Sequence, residues 1–388
     1  MSLEKVKILI CGGGNGAHCL AGIASSRPNV EVKVLTVYEN EAERWSTALR
    51  QTSLKVSITD EDGSVKYINS GYLKITDDPA VGVDGVDIIF IVVPSYVHQL
   101  FLNILAPFIQ PNTQIVGLPG HAGFELQCKS ILKGKVKPCA FVGFESLPWA
   151  CRIVEYGKQV QLLGYKDILG ASFLTGVDCN LPYPAIESIQ NILGDKPRVK
   201  VVSNVVAVIL MAGSIIHPPI LYGKWKKWDG MPLKEKPLFY QGVDDQQVWF
   251  LSTLNLTHVL HIFDWMKVHY PDGISDKSTL RTSLVTNKAY NGLLHPMQST
   301  EMGFIPDFTY RYLSEDVPFG LVVIKWISEL VDVATPTLDE IIIWAQGKLG
   351  KDFGDKLRGR DVKDVRAPQS YGIVSLDQFI DFVSINML

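Results

Sequence analysis

Six consecutive residues near the start of the chain have the types and spacing to hold a phosphate. Gly12-Gly13-Gly14-Asn15-Gly16-Ala17 contains G-x-G-x-x-A as Gly12, Gly14 and Ala17. In such a turn the first glycine permits a tight bend and the second lets the backbone approach a pyrophosphate. The small third residue lets a helix pack closely on a strand. The N–H groups that open the following helix then face phosphate oxygens. The apolar run Val6–Cys11 precedes the turn, a helical pattern covers Gly16–Ser25, and a β-branched run follows at Val30–Val37. This order separates a dinucleotide-binding turn from a glycine-rich turn without a ligand. The expected cofactor contacts are Gly12, Gly14, Asn15, Gly16 and Ala17, with Thr36 ending the second strand and Pro94 ending the run Val86–Val93. Thr36 stands where a ribose-binding carboxylate is usual, and Glu39 falls slightly late. Arg44 is in range of an adenosine 2′-phosphate, but Glu41 and Glu43 oppose one. The balance favours NAD.

Reduction by a nicotinamide cofactor needs further groups. They are a proton donor at the reacting bond, a carboxylate that holds the donor charged, and a cation for a substrate carboxylate. His, Asp or Glu, and Arg suit these tasks. Among eight histidines, His217 follows an apolar stretch and precedes Pro218-Pro219. Taken alone it reads as a helix-terminal histidine bonded to a carbonyl. His258, His261 and Asp264 imitate the spacing of a metal site, but no further ligand is evident, so a solvated helix face and no metal are expected. His18 reads as local packing. Arg311 and Asp316, five apart, read by themselves as a surface ion pair.

Elements that could position these groups change character along the chain. Alternating strand and helix patterns run through Val6–Cys11, Val30–Val37, Glu41–Leu49, Val86–Val93, Tyr96–Ile104, Gln114–Leu118 and Cys139–Gly143. Repeated βα units predict an α/β fold with a doubly wound parallel sheet. Between Ser53 and Ile75 three short strand patterns suggest a β excursion at the sheet edge. After residue 200 the period is helical, with candidates at Asn204–Ile216, Val243–Lys267, Ser278–Asn287, Gly320–Val333, Leu338–Gly347 and Leu376–Val383. A dinucleotide-binding domain over 1–200 and a helical substrate domain over 201–388 are expected, with Asp195-Lys196-Pro197-Arg198 as the joint.

Composition narrows the class. The 388 residues are 47% hydrophobic and 20% charged, with a net charge of −3, so neither a nucleic-acid partner nor an acidic membrane surface is expected. Six cysteines, none spaced C-x-x-C, point to a reduced, cytoplasmic protein. The first residues lack the apolar core of a signal peptide. Val201–Ile216 is too short to span a bilayer and reads as a buried helix.

Several segments together resemble the opine dehydrogenases, most closely the octopine and tauropine type of marine invertebrates. They are CGGGNGAH at Cys11–His18, EAERW at Glu41–Trp45, VGLP with AGF between Val116 and Phe124, and FESLPWACR at Phe144–Arg152. Beyond these come HPPILYGKW at His217–Trp225, LFYQG at Leu238–Gly242, TNK at Thr286–Lys288, RYLSED at Arg311–Asp316 and WAQ at Trp344–Gln346. The resemblance implies a Rossmann domain followed by an all-helical opine dehydrogenase domain, and a monomer. It implies NADH-dependent condensation of an α-keto acid, usually pyruvate, with the amino group of an amino acid or taurine, regenerating NAD in anaerobic glycolysis. Carried over by motif, His217 is the acid–base, Asp316 its carboxylate partner and Arg311 the keto-acid anchor. His121 stands where octopine-type members have Gln, and Gly213 where they carry Tyr. Both are expected near the amine substrate, with Ser146 a further contact, so taurine, alanine, glycine or β-alanine is expected rather than arginine. Two alternatives are a hydroxyacid or ketopantoate type of reductase and a non-catalytic dinucleotide-binding protein.

Overall fold

The computed structural model describes residues 5–59, 64–134, 138–176, 178–202, 205–211, 216–221, 262–290, 295–301, 303–354 and 358–384. They fall into two compact units. One comprises Met1–Gly120 and Gln127–Val201, the other His121–Leu126 and Val202–Ser384.

The first unit is built on an eight-stranded sheet. Its strands are β1 (Val6–Cys11), β2 (Val30–Leu35), β5 (Leu73–Thr76), β6 (Ile88–Ile91), β7 (Gln114–Gly117), β8 (Ala140–Phe144), β11 (Ile168–Thr175) and β12 (Arg198–Val201), in the order β12-β11-β8-β7-β6-β1-β2-β5. All neighbours are parallel except β11, which runs antiparallel to β8. β6 is buried along its whole length, which is why its sequence is an unbroken apolar run. Helices α1 (Asn15–Ser25) and α2 (Glu41–Leu49) follow the first two strands. Ile8, Ile10, Phe90, Val116 and Val142 from the sheet pack with Ala17, Leu20 and Ala24 of α1 in one core. The order of strands reverses between β1 and β6, and in such sheets ligands bind where the carboxyl ends of those strands diverge. Gly12 and Pro94 lie just beyond those two ends.

The expected excursion after Ser53 divides between two sheets. β3 (Lys55–Thr59) and β4 (Val65–Asn69) form an antiparallel hairpin, and β3 pairs in parallel with β10 (Gln159–Tyr165), which pairs with β9 (Trp149–Glu155). The third strand, β5, instead extends the main sheet beside β2. Asp195–Arg198 does not close the first unit, because β12 begins at Arg198 and extends the main sheet.

The second unit is mainly helical. After α3 (Pro79–Val83), α4 (Ser95–Leu105), α5 (Phe124–Leu132) and α6 (Ala185–Leu193), the chain forms α7 (Val205–Met211), α8 (His217–Leu221), α9 (Ile262–His269), α10 (Leu280–Val285), α11 (Arg311–Ser314), α12 (Val322–Leu330), α13 (Pro336–Leu349) and α14 (Leu376–Ser384). A small hairpin, β13 (Met297–Thr300) and β14 (Gly303–Pro306), precedes α11. Pro336 in the first turn of α13 needs no N–H partner, and Gly350 ends the helix in a left-handed conformation. Of the helix expected over Asn204–Ile216, α7 is described and Gly213 lies outside the described residues, as do His258 and His261. Among the described residues, no helix is long and apolar enough to cross a membrane.

Candidate active site

In the first unit, the turn after β1 has the geometry that its glycines call for. Gly12 adopts φ +125°, and a Cβ there would lie 2.6 Å from the Val92 carbonyl oxygen at the end of β6. Gly14 faces open space, with nothing within 4 Å of the position of a Cβ. That is a cradle a side chain would fill, and it fits a pyrophosphate lying on the backbone. The His18 N–H donates to the Gly14 carbonyl at 3.0 Å, so the amide groups before it are left to the open end of α1. Gly16 shares with Ala17 the task of close packing, since a Cβ on Gly16 would stand 3.0 Å from Val92 and 3.2 Å from Leu147.

The side chains around this turn are already engaged. Asn15 opens α1, and its Oδ1 accepts the Ile153 N–H at 2.8 Å. Buried His18 stacks on Trp45 of α2 with centroids 3.7 Å apart. Its Nε2 accepts the Gly157 N–H at 3.0 Å, so Nδ1 carries the proton facing the Gly14 carbonyl at 3.2 Å. Burial pushes the His18 pKa down to about 4. Thr36 is buried at the end of β2 and donates its hydroxyl to Glu41. Pro94 precedes the first residue of α4. After β8, the Ser146 hydroxyl is buried with no hydrogen-bond partner among the described residues. Its residue type alone gave the sequence no sign of that.

In the second unit, the candidates meet around α11. His217 opens α8, and its Nδ1 lies 2.6 Å from Oδ2 of Asp316. The Asp316 side chain is 5% exposed and that of His217 31%. A buried carboxylate therefore orients the imidazole through Nδ1. The ring of Tyr312 lies flat against His217, with centroids 3.8 Å apart and planes 11° apart. Because the Asp316 carboxylate goes to His217, the surface ion pair with Arg311 is not the arrangement adopted. Arg311 begins α11, near enough to Glu315 and Asp316 to be influenced by both charges.

The backbone at Asp316 departs from α-helical spacing. The Asp316 N–H donates to the Arg311 carbonyl, and the Leu321 N–H to the Asp316 carbonyl, both five residues apart. A π-helical turn over Val317–Leu321 joins α11 to α12. Pro318 has no N–H to give the carbonyl four residues back, which favours the wider turn. Such turns often occur at functional sites.

His121 also belongs to this unit. Its backbone is left-handed at φ +58°, and its Nε2 is 3.5 Å from Glu315 Oε1. Burial lowers its pKa, opposed by Glu315 and Asp316 and aided by Arg366 and Arg311. The residue types of Tyr312 and Glu315 do not by themselves mark them as site residues. Their signal was position, since both lie between Arg311 and Asp316. Among the described residues, no group of three or more His, Cys, Asp or Glu is placed to hold a metal ion.

These features can be set beside known proteins. Residues 201–349 match the family described as NAD/NADP octopine/nopaline dehydrogenase, alpha-helical domain. The opine dehydrogenase of Haliotis discus hannai is 44% identical over 406 residues, spanning 98% of this chain and 100% of that relative. The chain belongs to the opine dehydrogenase family. As an opine dehydrogenase it is an NAD(H)-dependent oxidoreductase, which removes the non-catalytic alternative and the simpler reductase alternative. The tauropine dehydrogenase of Arabella iricolor is 40% identical, covering 97% of this chain and 100% of the relative. A solved octopine dehydrogenase with NADH and L-arginine superimposes with a TM-score of 0.85 at 38% identity, covering 97% of this opine dehydrogenase and 98% of that chain. Opine dehydrogenases of the octopine and tauropine kinds thus stand at similar distances.

Proposed function

We propose that the chain condenses pyruvate reductively with the amino group of a small amino acid or taurine, yielding an N-(1-carboxyethyl) amine. NADH, when bound, supplies the hydride. Arg311 holds the pyruvate carboxylate through its planar fork. His217 first accepts a proton from the incoming ammonium, freeing the amine to attack the keto carbon. It later returns that proton to the hydroxyl of the addition product, which leaves as water, and the C=N bond so formed is the one that hydride from bound NADH would reduce. Asp316 keeps the imidazole oriented and stabilises its protonated form. The observation that carries this reading is the 2.6 Å bond between His217 Nδ1 and Asp316 Oδ2.

His121 and Gly213 are assigned to the amine end. Gly213 stands four residues before His217 in sequence, and a glycine there lacks a side chain to position a long guanidinium substrate. Taurine, alanine, glycine or β-alanine is therefore preferred over arginine. The proposed setting is a cytoplasmic monomer that regenerates NAD during anaerobic glycolysis.

The test is NADH oxidation with pyruvate against a panel of amines, with an amine-free control. A small amine should exceed arginine in kcat/KM by about tenfold or more, equivalent to roughly 1.4 kcal/mol in transition-state binding. Arginine as the best amine would overturn the substrate assignment. Full activity without an amine would overturn the condensation.

A further inference from the structure

We propose that Glu41, the first residue of α2, receives the adenosine ribose hydroxyls and selects NADH over NADPH. The inference rests on the nucleotide site at the Gly12–Ala17 turn.

A ribose-binding carboxylate ordinarily stands at the end of the second strand. Here that place is held by Thr36, which is buried and offers only a hydroxyl. The Thr36 hydroxyl donates to the Glu41 carboxylate, so the strand end aims an acid supplied by the next helix. On its other side the carboxylate lies against the glycine turn. A Cβ on Gly13 would collide with it. Glu41 is thus fixed between the end of β2 and the turn that cradles the pyrophosphate. A ribose next to a pyrophosphate held at Gly14 would meet this carboxylate. A carboxylate can accept both ribose hydroxyls, but it repels a 2′-phosphate at the same point.

The helix that carries Glu41 is anchored. Trp45, one turn on, is fully buried and stacks on His18 of α1. Arg44, the cation that could welcome a 2′-phosphate, is held elsewhere. Its guanidinium carbon lies 4.4 Å from the centroid of the Tyr156 ring. Glu39 and Glu43 add negative charge to the same segment.

The test is fluorescence titration of the full-length protein with NADH and with NADPH, which requires no turnover. The unaltered protein should bind NADH at least 100-fold more tightly. Glu41→Gln keeps an acceptor for Thr36 and should weaken NADH binding about tenfold. It should strengthen NADPH binding by a similar factor. Thr36→Val, which leaves the acid but not its donor, should shift the ratio in the same direction by less. Glu43→Gln, which removes a charge from the segment but not the ribose contact, should shift the ratio far less than Glu41→Gln. A Glu41→Gln protein with native circular dichroism and an unchanged NADH-to-NADPH ratio would overturn the assignment while leaving the nucleotide site intact. An unaltered protein that binds neither cofactor would overturn the site and the assignment together.

Discussion

Nδ1 of His217 and Oδ2 of Asp316 lie 2.6 Å apart, although 99 residues separate them in the chain. The carboxylate is nearly inaccessible, and Tyr312 covers one face of the imidazole. In the proposed reaction such a pair acts as one device, so loss of the imidazole would remove the proton carrier and loss of the carboxylate would leave it unoriented. His217→Ala should lower kcat by ~10²–10⁴-fold, the usual worth of general acid–base catalysis. Asp316→Asn should also be severely impaired. The double variant should be little worse than the worse single one, and fully multiplicative losses would show that the two act independently.

Arg311 should serve pyruvate and not the dinucleotide. Lysine keeps the charge but cannot reproduce two parallel bonds to a carboxylate. Arg311→Lys should therefore raise the KM for pyruvate about tenfold or more while the Kd for NADH stays within twofold. Normal pyruvate kinetics in that variant would reduce Arg311 to a structural charge beside Glu315.

Gly14→Val tests the turn. Because nothing lies within 4 Å of the added Cβ, the substitution should leave the fold unchanged. The branched side chain would fill the space that a pyrophosphate needs. Titration should show a large loss of NADH affinity with native circular dichroism. Unchanged affinity would remove the nucleotide from this turn.

His18 makes the first unit sensitive to acid. Its pKa is held down to about 4 in the folded protein, chiefly by burial, against about 6.5 for an exposed histidine. Between those values the unfolded chain binds more protons than the folded one, so stability falls as pH falls. The contribution is complete above pH ~6.5 and is lost on the way to pH ~4, a change of roughly 3 kcal/mol. Urea unfolding across that range should show the decline. His18→Phe keeps a ring against Trp45 but cannot titrate, so its decline should be shallower. An identical slope would mean that His18 does not contribute.

The parts legible in the sequence were those written in local patterns. Buried parallel strands such as Ile88–Ile91 are unbroken apolar runs, and the Gly12–Ala17 turn declares itself by spacing. Glu41–Leu49 was expected as a helix and forms one. The hairpin β9–β10 was missed because its burial alternates imperfectly and its register shifts twice. In sequence Glu41 reads only as an obstacle to a 2′-phosphate, since its bond with Thr36 depends on how α2 leaves the strand. Nothing local links His217 to Asp316. Only the resemblance of whole motifs implies their shared role, and a π-helical turn around Asp316 cannot be read from periodicity.

The pairing of β3 with β10 has a consequence for the order in which the protein is made. Lys55 aligns with Gln159 in a parallel ladder, so more than a hundred residues must be in hand before that ladder can close. The same late hairpin supplies the Ile153 and Gly157 amides that grip Asn15 and His18. On the ribosome, which delivers the glycine turn among the first residues of this sequence, that turn cannot gain these two clamps until residue 157 has emerged. A nascent chain stalled before β9 would carry the phosphate motif in full and still lack the contacts that hold α1 to the small sheet.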